Sequence, residues 1–178
     1  MRNVMVDTET LGTAPGSVIL SLGACVFDPH HPGREIDETF YATISRASCE
    51  AVGLTVDPKT LEWWSDPSRA EARAALDVDP QPIGDVLAAF TAWWNRKQAV
   101  YFWAHAPNFD ETLLSAAYRA CGMTPPWRFW DVRCTRTIYD LAKVRPDRAQ
   151  GTHHNALDDA KAQAAAVTVA YRALGIAA

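Results

Sequence analysis

Val4-Met5-Val6-Asp7-Thr8-Glu9-Thr10 decides how the chain is read. An apolar run ends in two carboxylates with one residue between them. In a β-strand, residues i and i+2 point to the same side. Asp7 and Glu9 are therefore expected to converge at the strand's end. Like charges held that close repel unless something neutralises them. A divalent cation such as Mg²⁺ or Mn²⁺ does so, and hard cations prefer carboxylate oxygen. Taken alone, the stretch also fits a strand that ends in a solvated acidic turn.

Working outward, Gly12-Thr13-Ala14-Pro15-Gly16 reads as a turn. Residues 17–27 read as a buried strand, a long apolar run with β-branched members. Residues 28–33 make a hairpin-type loop and residues 38–45 the next strand. Short connections suit antiparallel hairpins, whereas parallel neighbours need a longer crossover, so these three strands are expected to form a meander. A helical zone follows. Pro58 and Pro67 can each open a helix at its first turn, over residues 58–65 and 67–76. Residues 83–97 are amphipathic, with Val86, Leu87, Phe90, Trp93 and Trp94 at helical spacing. Residues 99–104 read as a strand and 108–121 as a helix stopped by Gly122. Residues 127–132 are extended, 133–142 helical, 143–151 a basic loop, and 155–174 the last helix. A meander followed by alternating strands and helices argues for an α/β fold, a mixed sheet with helices packed on it.

Composition narrows the function. The chain has 178 residues, enough for one domain with a proper core. An apolar content of 48% with 21% charged residues excludes a disordered chain. No apolar run reaches membrane-spanning length, and Met1-Arg2-Asn3 leaves no room for a signal peptide before the strand. Cys25, Cys49, Cys121 and Cys134 are scattered, and read as buried thiols of a reducing cytoplasm rather than a zinc site or disulfide framework. The expected location is cytoplasmic. A formal net charge of −4 argues against a protein that coats long nucleic acid. It does not argue against an enzyme that grips a short piece through metal ions.

More carboxylates return later in the chain. Asp110 follows the fourth strand, in the first turn of the next helix if Asn108 is its N-cap. An Asp there is also favourable for structural reasons alone, through the helix dipole. In His153-His154-Asn155-Ala156-Leu157-Asp158-Asp159 the helical wheel separates the two aspartates. Asp158 shares a solvated stripe with Lys161, Ala165, Thr168 and Arg172. Asp159 shares a stripe with Gln163, Ala166 and Ala170 that borders the apolar face, and so points inward. A buried carboxylate needs a partner, which a metal would supply. His154 belongs to the loop before the helix, from where it can reach a site that Asp159 helps to build.

Asp7-x-Glu9, then Asn108-Phe109-Asp110, then His154-x-Ala156-x-x-Asp159 resembles the DEDDh 3′→5′ exonucleases of the ribonuclease H-like superfamily. Trp63-Trp64 and Phe102-Trp103-Ala104 are most similar to a phage and bacterial branch with exodeoxyribonuclease VIII-like domains and a mycobacterial 3′→5′ exoribonuclease. One departure stands out: Ala106 occupies a position where many members carry Asn, in His-Asn-Ala-x-Phe-Asp. The resemblance implies a single exonuclease domain over residues 1–178. It implies a central five-stranded sheet in the order 3-2-1-4-5, with strand 2 antiparallel to the rest and helices on its flanks. It also implies two-metal hydrolysis of phosphodiesters. Asp7, Glu9, Asp110 and Asp159 would hold two Mg²⁺ or Mn²⁺ ions, one activating a water and the other stabilising the leaving 3′ oxygen. His154 would be the general base.

The implied partner is the 3′ end of RNA or single-stranded DNA, with nucleoside 5′-monophosphates released and no membrane involved. A homodimer stays open as the assembly. Thr8, Leu11, Trp64 and Phe109 are the candidates for holding the terminal nucleotide, since stacking on an aromatic face suits every base. Adjacent helical residues diverge by about 100°, so only one of Trp63 and Trp64 is expected to face the site, with Trp64 favoured. Two alternatives share this fold: an endonuclease, and a non-catalytic nucleic-acid-binding module.

Overall fold

The computed structural model describes residues 2–31, 38–146 and 154–176. Five strands, β1 (Arg2–Thr10), β2 (Ile19–Phe27), β3 (Thr39–Thr43), β4 (Ala99–Ala104) and β5 (Val132–Cys134), form one sheet in the order β3-β2-β1-β4-β5. β2 is antiparallel to β1 and β3, while β4 is parallel to both β1 and β5. The expected order and the single antiparallel strand are both present. The acidic strand β1 is the central one, which explains its nearly continuous burial.

Helices cover both faces. The chain adds α1 (Arg46–Ala51), α2 (Pro58–Ser65), α3 (Ala70–Leu76), α4 (Ile83–Arg96), α5 (Asp110–Ala120), α6 (Thr135–Ala142) and α7 (Ala156–Ala173). Strand alternation sorts β1 between two cores. Val4 and Val6 join Phe90, Trp94, Phe102, Leu114 and Tyr118 beneath α4 and α5. Met5 joins Trp103, Tyr139, Ala164 and Val167 beneath α6 and α7. Asp7 and Glu9 have the parity of Met5, so they emerge on the α7 side. No described helix is long and apolar enough to cross a membrane.

One glycine lets α7 approach. Gly23 stands opposite Asp7 in the β1–β2 ladder. A Cβ there would lie 2.2 Å from the Ala156 carbonyl carbon and 2.3 Å from the Leu157 nitrogen. The start of α7 therefore rests on bare β2 backbone, which brings Asp159 over the end of β1.

Several local expectations need correction. α1 falls where no element was expected: it is six residues long with only Cys49 buried, too short to show a period. Asn108 does not cap α5. The N-cap position belongs to Phe109, without a side-chain bond, and Asp110 is the first helical residue. Residues 129–131 are a short 3₁₀ turn and the fifth strand runs Val132–Cys134, displacing the start of α6 to Thr135. Three residues on a sheet edge are too few for alternation to be read. Of the cysteines, Cys25 and Cys49 are buried, whereas Cys121 and Cys134 are half-buried; all four are free thiols. Part of the loops expected over 28–33 and 143–151, and His153, lie outside the described residues.

Candidate active site

A cleft of about 590 Å³ opens at the end of β1. Asp7, Glu9, Asp110, His154 and Asp159 all line it, so the residues singled out from separate parts of the sequence converge. Each arrives by a different element. Asp7 and Glu9 project from β1 toward α7. Asp110 comes from the opposite face, at the start of α5, and its Oδ1 accepts from the Thr8 backbone N–H at 3.1 Å and the Thr8 hydroxyl at 2.9 Å. That pair of bonds, rather than a helix cap, fixes the carboxyl. Asp159 lies in the first turn of α7, whose N-cap Asn155 accepts from the Leu157 and Asp158 backbone N–H groups. The wheel assignment holds in placement: Asp159 lines the cleft and Asp158 does not.

His154 precedes that cap with a left-handed φ of 63°. Its ring is edge-on to Trp63 at 4.9 Å and to Trp64 at 6.0 Å between centroids. One ligand atom each from Glu9, His154 and Asp159 lie within 4.8 Å of one another. Gln163, one turn beyond Asp159 on the same stripe, donates its side-chain amide N–H to Asp7 Oδ1 at 2.8 Å, and its side-chain oxygen Oε1 is buried without a bond among the described residues. Sequence reading placed Gln163 on the inward stripe but gave it no role. A polar residue four positions after an inward acid was the available signal.

Burial and crowding push the carboxyls upward. Asp7 is raised well above the ordinary range, first by burial and then by the charges of Asp110, Glu9 and Asp159. Glu9 is pushed up to about 8 by burial, then by Asp159 and Asp110. Asp110 is pushed up to about 7 by burial, against the pull of its two Thr8 bonds and the Arg136 charge. An oxygen-rich set with one imidazole, whose acids cannot all ionise unaided, fits a hard divalent cation. Folded pKa values above the unfolded ones stabilise the metal-free protein below the ordinary carboxylate range, and this stability is lost as pH rises through about 7–8. The Tm of metal-free protein should therefore fall by roughly 5 °C or more between pH 5 and pH 9. Adding Mn²⁺ at pH 7 should raise Tm and expel protons, read by calorimetry in two buffers of unlike ionisation enthalpy. Binding without proton release would contradict these raised values.

The wall opposite the acids is aromatic. Trp64 is 3% exposed and donates its indole N–H to the Thr10 carbonyl at 2.9 Å, which ties α2 to the end of β1. Trp63 is 41% exposed, with the Arg69 guanidinium 3.6 Å from its ring centroid. Both line the cleft, so the expectation that only one would is wrong. The cleft wraps around α2, and a wrapped wall takes residues 100° apart. Phe109 and Thr8 line it as expected. Leu11 does not: it is 4% exposed and packs in the core under α4 and α5. A register shift between Glu9 and Thr10 ends the alternation that would have carried Leu11 to the acidic side. Lys59, Thr60 and His105 also line the cleft and were not anticipated. Ala106 takes a left-handed φ of 81° and is buried outside the cleft lining.

Comparison with known proteins agrees with this geometry. The profile of the 3′-5′ exoribonuclease Rv2179c-like domain matches residues 2–171. An exodeoxyribonuclease of Enterobacteria phage T4 is 28% identical over 177 residues, covering 82% of this chain and 74% of the phage protein. Among solved structures, the nuclease domain of 3′hExo, a DEDDh family member bound to rAMP, superposes with a TM-score of 0.62 at 14% identity, over 98% of this chain and 92% of that one. Pop2p of S. pombe, in a form with Mg²⁺ and Mn²⁺ bound, gives a TM-score of 0.52 at 14% identity, over 95% and 82% of the two chains. At such identity these two likenesses concern the fold.

Proposed function

Because the chain belongs to the Rv2179c-like 3′-5′ exoribonuclease domain family, and so to the DEDDh 3′-5′ exonucleases, we propose that it hydrolyses RNA or single-stranded DNA from the 3′ end to nucleoside 5′-monophosphates, with Mg²⁺ or Mn²⁺ and His154 as general base. The observation that carries this reading is the convergence of Glu9, His154 and Asp159 within 4.8 Å at the floor of an aromatic-walled cleft. Asp7, Glu9, Asp110 and Asp159 would hold two ions. Bound there, such ions lower the pKa of water and take up charge on the phosphate and the leaving oxygen. Pop2p in its Mg²⁺- and Mn²⁺-bound form supports a divalent metal, and 3′hExo with rAMP supports a nucleotide ligand.

The chain's own groups would do the rest. His154 takes the proton of the attacking water on a ring nitrogen, and its near-perpendicular contacts with Trp63 and Trp64 hold the ring in place. Gln163 orients the Asp7 carboxylate. Trp63, Trp64 and Phe109 enclose the terminal base, and Thr8 anchors Asp110 beneath it.

The two tryptophans should separate on mutation. Trp64→Ala removes a buried ring and its bond to Thr10, and should cost about 3–5 kcal/mol of stability. Trp63→Ala should leave Tm within a few degrees but weaken AMP binding about tenfold, the lower part of the stacking range. Unchanged AMP affinity in folded Trp63→Ala would remove it from the binding wall.

The function is tested with 5′-labelled RNA and single-stranded DNA, side by side, with Mn²⁺ and with EDTA. Ladders shrinking from the 3′ end and arrested by EDTA are expected. Internal cuts would mark an endonuclease, and intact substrate a binding module.

A further inference from the structure

A second cavity, of about 370 Å³, is lined by His105, Arg136, Tyr139, Asp140, Arg145 and Pro146. His105 and Pro146 line the acidic cleft as well, so the two spaces adjoin. The tryptophans hang on the end of β1, whereas His105 and α6 follow β4 and β5, the two strands beyond β1 in the sheet. A strand whose last base sits at the tryptophans, with its last phosphodiester over the acids, can run on toward α6.

The lining is cationic beside a cleft lined by five carboxylates, in a protein of net charge −4. Among the described residues that line it, Arg136 and Arg145 face one carboxylate, Asp140, and the Arg136 charge also reaches Asp110. Arg145 Nη2 bonds Asp140 Oδ1 at 3.2 Å and its Nη1 bonds the Val144 carbonyl at 2.9 Å, which orients the guanidinium. Both members of that ion pair are largely exposed, and exposed pairs are weakly held, so a phosphate oxygen can exchange for the carboxylate. The Tyr139 hydroxyl is committed to the Gln163 backbone carbonyl at 2.7 Å, and the His105 ring is fixed by Thr135 Oγ1 at 2.9 Å. These two rings form a fixed back wall behind two guanidinium groups, whose planar forks match phosphate oxygens.

We propose that this cavity is a phosphate subsite, holding the phosphate on the 5′ side of the penultimate nucleotide. The proposal rests on the exonuclease reading above. In a long strand that phosphate is an internucleotide diester; in a dinucleotide it is a terminal monoester. The test compares release of the 3′ nucleotide from ApA, pApA and ApApA, or their deoxy forms if only those are cleaved. Wild-type protein and the Arg136→Ala/Arg145→Ala double variant are run with Mn²⁺. Wild type should favour pApA over ApA by about tenfold in kcat/KM, and the double variant should bring the ratio within about twofold. ApApA favoured along with pApA supports a subsite open to the diester; pApA favoured alone supports one selective for the monoester. Equal rates on all three, or a preference that survives in the double variant, overturns the subsite while leaving the exonuclease intact. Wild type that releases no nucleotide from either series overturns the exonuclease reading itself.

Discussion

Asp7→Asn, Glu9→Gln, Asp110→Asn and Asp159→Asn are each expected to lower kcat by about 10³-fold or more, since each removes one charge from the set that would hold the metal, and such charges supply several kcal/mol in the transition state. The isosteric amides matter. Asp110→Ala would also strand the Thr8 backbone N–H and hydroxyl, adding a structural loss to the chemical one. With the amides, activity and stability should part company. Burial pushes up Asp7, Glu9 and Asp110, and repulsion from the neighbouring acids adds to it at Asp7 and Glu9. Neutral replacements should therefore keep or raise the Tm of the metal-free protein above pH 8 while turnover disappears. Asp158→Asn is the control and should stay within about threefold of wild type, because Asp158 lies outside the cleft lining. An active Asp159→Asn beside a dead Asp158→Asn would overturn the orientation of α7.

Loss of the His154 imidazole should lower kcat by about 10², the scale of a general base. His154→Asn is the better variant, because Asn tolerates the left-handed φ of 63° at that position whereas Ala does not. Two readouts divide base from ligand. A general base leaves Mn²⁺ affinity near wild type and takes away the acidic limb of the pH–rate profile. A ligand, which the 4.8 Å grouping with Glu9 and Asp159 also permits, shows a large fall in Mn²⁺ affinity at an unchanged profile. The second result would assign His154 to the metal and leave the base to be found elsewhere.

The sheet order and the acids were legible because they obey short rules. Two-residue alternation put Asp7 and Glu9 on one side of β1, and the wheel of α7 turned Asp159 in and Asp158 out. What escaped depended on events between elements. Leu11 had the parity of Glu9, yet one register shift folded it into the core. Trp63 and Trp64 diverge as helical neighbours must, but a concave wall accepted both. The Thr8–Asp110 bonds span 102 positions of sequence. No local pattern announces a contact of that range, nor the notch at Gly23 that seats α7.

Gly23 and α7 also set when the protein can first act. The cleft needs β1, complete by Thr10, and α7, which starts at Ala156. A ribosome adding about 5–20 residues per second needs roughly 8–30 s to travel from Asp7 to Asp159. Within that interval the nascent chain carries two of the four acids until Asp110 is added and three afterwards, and it lacks His154 until five residues before the end. It is a nuclease without teeth until the last helix emerges and settles on bare β2 backbone. Nuclease activity thus begins as a single late event of biosynthesis, not as a gradual gain.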